Sequence, residues 1–130
     1  MRTASLLALL TATPVMAQPA QDIETVIGDQ IAAFQAEDMA RAFTHAAPAI
    51  KRMFGNPESF GQMVRDGYPM VWRPADVTFL DRTEIGPEAI QRVMIRDGGG
   101  QLHFLAYRMI RLQGAWRING VQILTEGVGL

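Results

Sequence analysis

From residue 23 onward, apolar side chains fall at Ile23, Val26, Ile27, Ile31 and Phe34, a spacing that draws one stripe down a helix of roughly three to four turns. Asp22 stands where an N-cap belongs. A second helix opens after Asp38 and places Met39, Ala42, Phe43 and Ala46 on one face, until Pro48 breaks it. Residues 49–54 read as a further turn. Asn56 followed by Pro57 is a cap followed by proline at the first helical position, and the helix it starts buries Phe60, Met63 and Val64 before stopping at Gly67.

Beyond Pro74 the period changes from helical to alternating. Strands are expected over 77–85, 89–97, 101–112 and 115–124, turning at Gly86-Pro87, Gly98-Gly99-Gly100 and Gln113-Gly114. Three N-terminal helices packed on a curved four-stranded antiparallel meander is an α+β layout. With a three-residue glycine loop and a two-residue Gln113-Gly114 turn, Ile95 pairs with His103, Val93 with Leu105, Gln91 with Tyr107, Met109 with Ile118, and Arg111 with Trp116. Continuing that register sets Gly120 opposite Tyr107 and Gln122 opposite Leu105. The face turned to the helices then carries Gln91, Val93, Ile95, His103, Leu105, Tyr107, Met109, Trp116, Ile118 and Gln122. The outer face mixes Arg92, Arg96, Arg108 and Arg117 with Ile90, Phe104, Ile110 and Val121. A one-residue slip in the glycine turn would reverse the second pairing.

Composition narrows this picture. A chain of 130 residues, 48% of them hydrophobic, has material for one packed core. Twelve Lys+Arg against 13 Asp+Glu leave no broad basic surface, so nucleic acid is not an expected partner. Arg2, the apolar stretch at 6–10 and the small residues around Val15-Met16-Ala17 read as an export signal over 1–17, leaving a single domain over 18–130 in the periplasm or outside the cell. That apolar stretch is well short of the roughly 20 residues a bilayer span needs, so no stable membrane anchor is expected after cleavage. There is no cysteine. Disulfides, thiol nucleophiles and thiolate metal sites are therefore excluded, and packing alone must stabilise the fold.

With the helices and meander in place, particular runs carry a resemblance: Ile31-Ala32-Ala33-Phe34, Met53-Phe54-Gly55, Phe60 with Met63-Val64, Tyr68-Pro69-Met70-Val71-Trp72-Arg73-Pro74, and Trp116-Arg117-Ile118-Asn119-Gly120-Val121. Together they span nearly all of the mature chain. The sequence resembles the nuclear-transport-factor-2-like superfamily, a cone of curved sheet closed by three helices, and within it most closely the bacterial domain of unknown function 4864. The resemblance implies a fold and a pocket, and a dimer through the outer sheet face. It transfers no catalytic residue, because members include isomerases, dehydratases, cyclases, binding proteins and assembly modules.

Elimination does much of the remaining work. In the mature chain Ser59 is the only serine, Lys51 the only lysine, and His45 and His103 the only histidines. Ser59 sits in the first turn of a helix, which argues against a hydrolase triad. Lys51 lies in a polar stretch unsuited to Schiff-base chemistry. The histidines have no ligand spacing, so neither a metal nor a cofactor is implied. Tyr68, Trp72, Gln91, His103, Tyr107 and Gln122 are the candidate ligand-binding residues, a few polar tips on an apolar wall. The plainer reading makes His103 a rim residue, Tyr107 a core tyrosine, and Tyr68 and Trp72 plugs of the crossover. An enzyme of isomerase or lyase type would need Asp81 or His103 as base and Tyr107 as hydrogen-bond donor. Asp81 could serve only if it faces inward with Val77 and Phe79; otherwise it pairs with an arginine. The preferred reading is a non-catalytic domain holding a small apolar ligand or a partner segment, with a homodimer through the outer face. An interaction module with a filled core is the third reading.

Overall fold

A computed structural model describes residues 22–125. Five helices precede four strands: α1 (Ile23–Gln35), α2 (Met39–Thr44), α3 (Pro48–Phe54), α4 (Pro57–Gly67), α5 (Pro69–Trp72), β1 (Pro74–Ile85), β2 (Glu88–Asp97), β3 (Leu102–Leu112) and β4 (Ala115–Leu124). The strands form one open antiparallel sheet in the order β1-β2-β3-β4. The fold is α+β as expected, but three helices become five. Pro48 and Pro69 each occupy a first helical position, where a missing N–H costs nothing, and so start α3 and α5 rather than merely ending what precedes them.

The local signals hold at most helix ends. Asp38 caps α2 by accepting from the Arg41 amide at 3.1 Å, and Asn56 caps α4 by accepting from Ser59 at 2.8 Å. Asp22 occupies the N-cap position of α1 without capping it; its carboxylate accepts from Arg82 at 3.1 Å instead. The α1 stripe is buried as read, from Ile23 to Phe34, and it contains Gln30 as well. Phe34, Phe43, Phe54, Phe60 and Trp72 form an aromatic cluster with ring centroids 5.4–5.9 Å apart, binding the helices to one another.

All five register pairs expected in the meander are present. Gln113 and Gly114 both take positive φ, 53° and 79°, the conformation of the two-residue turn that suits strand twist. The glycine loop closes between Asp97 and Gln101, with Gly100 at φ 88°. Besides a register shift between Pro74 and Asp76 at the start of β1, two bulges depart from simple alternation. In β4, Arg108 faces Gly120 while Met109 faces Ile118, so Asn119 is an extra residue. It reverses the alternation beyond it: Tyr107 pairs with Val121, Leu105 with Ile123 and Ala106 with Gln122. Gly120 therefore does not lie opposite Tyr107. In β1, three steps from Phe79 to Arg82 match two from Val93 to Gln91, which takes Asp81 out of line with Val77 and Phe79.

The free edge of β4 is partly covered. Ile118 donates to the His45 carbonyl and accepts from Ala47, both at 2.8 Å, so the link between α2 and α3 runs beside the strand as a one-residue parallel bridge. This contact brings α3 over the bulged end of β4.

Candidate functional site

Between the helices and the bulged end of the sheet lies a cleft of about 230 Å³. Each wall follows from the elements above. Helix α3 supplies Ile50, Met53 and Phe54, at the i, i+3, i+4 spacing that shares one helical face. Helix α4 adds Phe60, Met63 and Val64 at the same spacing. Gln30 and Phe34 of α1 close the inner end, and Tyr107, Ile118, Gly120 and Val121 form the sheet wall. Val121 is there because Asn119 bulges; without that extra residue it would face outward. Met53 is 70% exposed, so the cleft opens beside α3.

The lining is mainly apolar, and its polar groups are few. Gln30 is buried and donates its amide to the Ala42 carbonyl at 3.1 Å. Tyr68 donates its hydroxyl to the Val121 carbonyl at 2.9 Å, tying the α4–α5 junction to the bulged strand. Tyr107 is 0% exposed, and its hydroxyl has no hydrogen-bond partner. Burial, and secondarily the neighbouring Tyr68, push the Tyr107 phenol well above its ordinary range, so it stays neutral and able to donate.

Of the six residues singled out from sequence, the cleft brings together Tyr68 and Tyr107. Gln91 is buried elsewhere: its amide donates to the Leu80 carbonyl at 3.0 Å and the Arg92 carbonyl at 2.9 Å, serving the β1 bulge. Trp72 packs against Phe34 in a tilted pair with centroids 5.6 Å apart, and the Arg73 guanidinium lies over its ring at 4.9 Å. Arg73 also donates to the Phe34 carbonyl at 3.1 Å, which locks the crossover from helices to sheet. His103 is at the far end of β3, its Nε2 2.8 Å from Asp97. Asp97 also accepts from Gly99 and Gln101, so the pair organises the glycine loop; these bonds hold Asp97 below its usual range, that with His103 foremost. Gln122 is exposed, on the face opposite to the expected one, because of the β4 bulge. Asp81, whose side chain is 62% exposed, pairs with Arg92 at 2.6 Å in place of facing inward.

A second polar cluster had no counterpart in the sequence reading. Asp29 of α1 accepts from Arg41 of α2 and lies 2.6 Å from His45 Nε2, while His45 Nδ1 is buried without a partner. The bond from Arg41, then that from His45, hold the Asp29 carboxyl at about 2. Arg41 and His45 are four apart, and that spacing was the available signal. Among the described residues no group of three or more His, Asp or Glu is placed to hold a metal ion, and no helix is long and apolar enough to cross a membrane.

The layered α+β fold and cleft describe a small domain whose chemistry, if any, is not written in a known motif. Residues 16–128 match the family described as Domain of unknown function (DUF4864), and the chain belongs to it. No curated protein matches the sequence. Among solved structures, it is similar to a SEC-C motif-containing protein from Rhodopseudomonas palustris, at 16% identity over 79% of each chain with a TM-score of 0.59. That likeness is one of fold. A protein from Kribbella flavida aligns at 14% identity over 79% of this chain and 85% of that one, with a TM-score of 0.47.

Proposed function

We propose that this chain is an exported, non-catalytic binding domain of the nuclear-transport-factor-2-like type, whose cleft takes a small apolar ligand. The observation that carries the reading is a mainly apolar cleft lined by Tyr107, whose fully buried hydroxyl has no partner. Such a group costs about 1–3 kcal/mol when unpaired, which a bound ligand would offset. An isomerase or lyase is less well supported. Asp81 and His103 are both engaged outside the cleft, and no carboxylate or imidazole is among its described lining residues. The reading extends to a homodimer through the outer sheet face, where Ile90 and Leu102 are exposed.

The binding reading is tested by thermal unfolding of the purified mature chain with ethylbenzene and acetophenone. Concentration-dependent stabilisation is expected. Met63→Trp, which fills the cleft from a half-buried position on α4, should abolish it while leaving the circular dichroism spectrum unchanged. Absence of any shift at aqueous saturation, together with no small molecule extracted from the purified protein, would reject the reading. The intact mass of the exported product should correspond to a start at Gln18; a mass retaining residues 1–17 would reject export with cleavage.

A further inference from the structure

We infer that the cleft selects an uncharged molecule of about one ring's size that presents a single oxygen acceptor to Tyr107, the chemistry of an aryl ketone. The inference rests on the binding reading above and adds charge, polarity and size to it. Three independent observations carry it.

The first is charge. No Asp, Glu, Lys, Arg or His is among the described residues lining the cleft. A carboxylate or ammonium placed there would give up its hydration for no counter-charge, a cost of several kcal/mol. The ligand is therefore neutral.

The second is the direction of the free hydrogen bond. The Gln30 amide donates one N–H to the Ala42 carbonyl and the Tyr68 hydroxyl donates to the Val121 carbonyl, so each is already engaged within the fold. Tyr107 alone among the lining groups has a buried side-chain polar atom with no partner. Its proton is held firmly by burial, so the complementary group on the ligand is an acceptor such as a carbonyl oxygen.

The third is size. A cleft of about 230 Å³ exceeds the apolar cavity of about 150 Å³ that accommodates benzene, and falls below the roughly 300–1,000 Å³ of pockets for drug-sized molecules. One ring with a short substituent fits that interval. Met53 and Met63, unbranched and polarizable, line the cleft and adapt to the outline of such a molecule.

The test uses three probes of nearly equal shape, acetophenone, ethylbenzene and benzoate, titrated calorimetrically into the purified chain. Acetophenone should bind about tenfold more tightly than ethylbenzene, the value of one hydrogen bond made to an otherwise unpaired group, and benzoate at least about tenfold more weakly than acetophenone. Tyr107→Phe should bring acetophenone down to the level of ethylbenzene while leaving ethylbenzene within about twofold of its original affinity. Equal or tighter binding of ethylbenzene, equal binding of benzoate, or an unchanged ketone preference in Tyr107→Phe would overturn the inference while the cleft remains a binding site. If neither ethylbenzene nor acetophenone binds, the binding reading falls with it. Should the variant not fold, the ranking of the three probes by the native chain decides.

Discussion

The partnerless hydroxyl of Tyr107 is a cost to the fold that the proposed binding role would offset. A phenylalanine would fill the same place without an unpaired hydroxyl, so a tyrosine here costs the ligand-free protein stability. Tyr107→Phe is accordingly expected to raise the unfolding free energy of the ligand-free chain by about 1 kcal/mol, read from urea denaturation. A destabilised variant would mean that the hydroxyl has a partner in solution and is not waiting for one. The position of Tyr107 was legible in the sequence, because its face follows from counting back from two glycine-marked turns. The fate of Gln91 was not. It shares that face, yet its amide is taken by the Leu80 and Arg92 carbonyls beside a bulge that leaves no mark on the hydrophobic alternation.

Helices α1 and α2 are joined by a polar clasp at one end. Asp29, with its carboxyl held at about 2 against an ordinary 3.8, is bound in the folded state by Arg41 and His45. A carboxyl depressed on folding contributes stability above its unfolded pKa and loses it as pH falls through the folded one. The clasp should therefore contribute fully at neutral pH and fade between about pH 4 and pH 2. Asp29→Asn is expected to cost about 1 kcal/mol at pH 7, allowing for solvent screening of a partly exposed group, and to match the native chain near pH 2. A constant difference across that range, measured by chemical denaturation at a series of pH values, would show that the clasp does not depend on the charge of Asp29. The elements themselves were largely readable: β4 has the expected bounds, and the hairpin registers follow from Gly98 to Gly100 and from Gln113-Gly114. A proline signals the end of a helix as readily as its start, and Pro48, which starts α3, follows a helical stripe that it would equally terminate. Its Ile50, Met53 and Phe54, which make one wall of the cleft, are therefore not legible as a helical face from the sequence. The Asn119 bulge was equally hidden, and it exchanges Gln122 for Val121 on the inner face.

At the scale of the whole molecule, the two faces of the sheet differ in what they leave uncovered. The inner face is closed by the helices around Val93, Ile95, Leu105 and Met109, all essentially buried. The outer face presents Ile90 and Leu102, 45% and 44% exposed, with half-buried Met94 and Phe104 between them across β2 and β3. Of the arginines on this face, Arg92 pairs with Asp81 and Arg96 with Asp76, whereas Arg108, directly across from Ile90, and Arg117 have no ion-pair partner among the described residues. A twofold pairing of such faces would meet like with like, the hydrophobic stripe driving association against the arginines interleaved with it. Light scattering is therefore expected to give twice the mass of one mature chain. Ile90→Arg, which sets two unpaired cations on the self-complementary surface, should return the monomer without changing the circular dichroism spectrum. The cleft lies on the opposite side of the sheet, so the monomeric variant should retain its affinity for acetophenone within about twofold, whereas a monomer that also loses the ketone would place the dimer contact against the cleft itself.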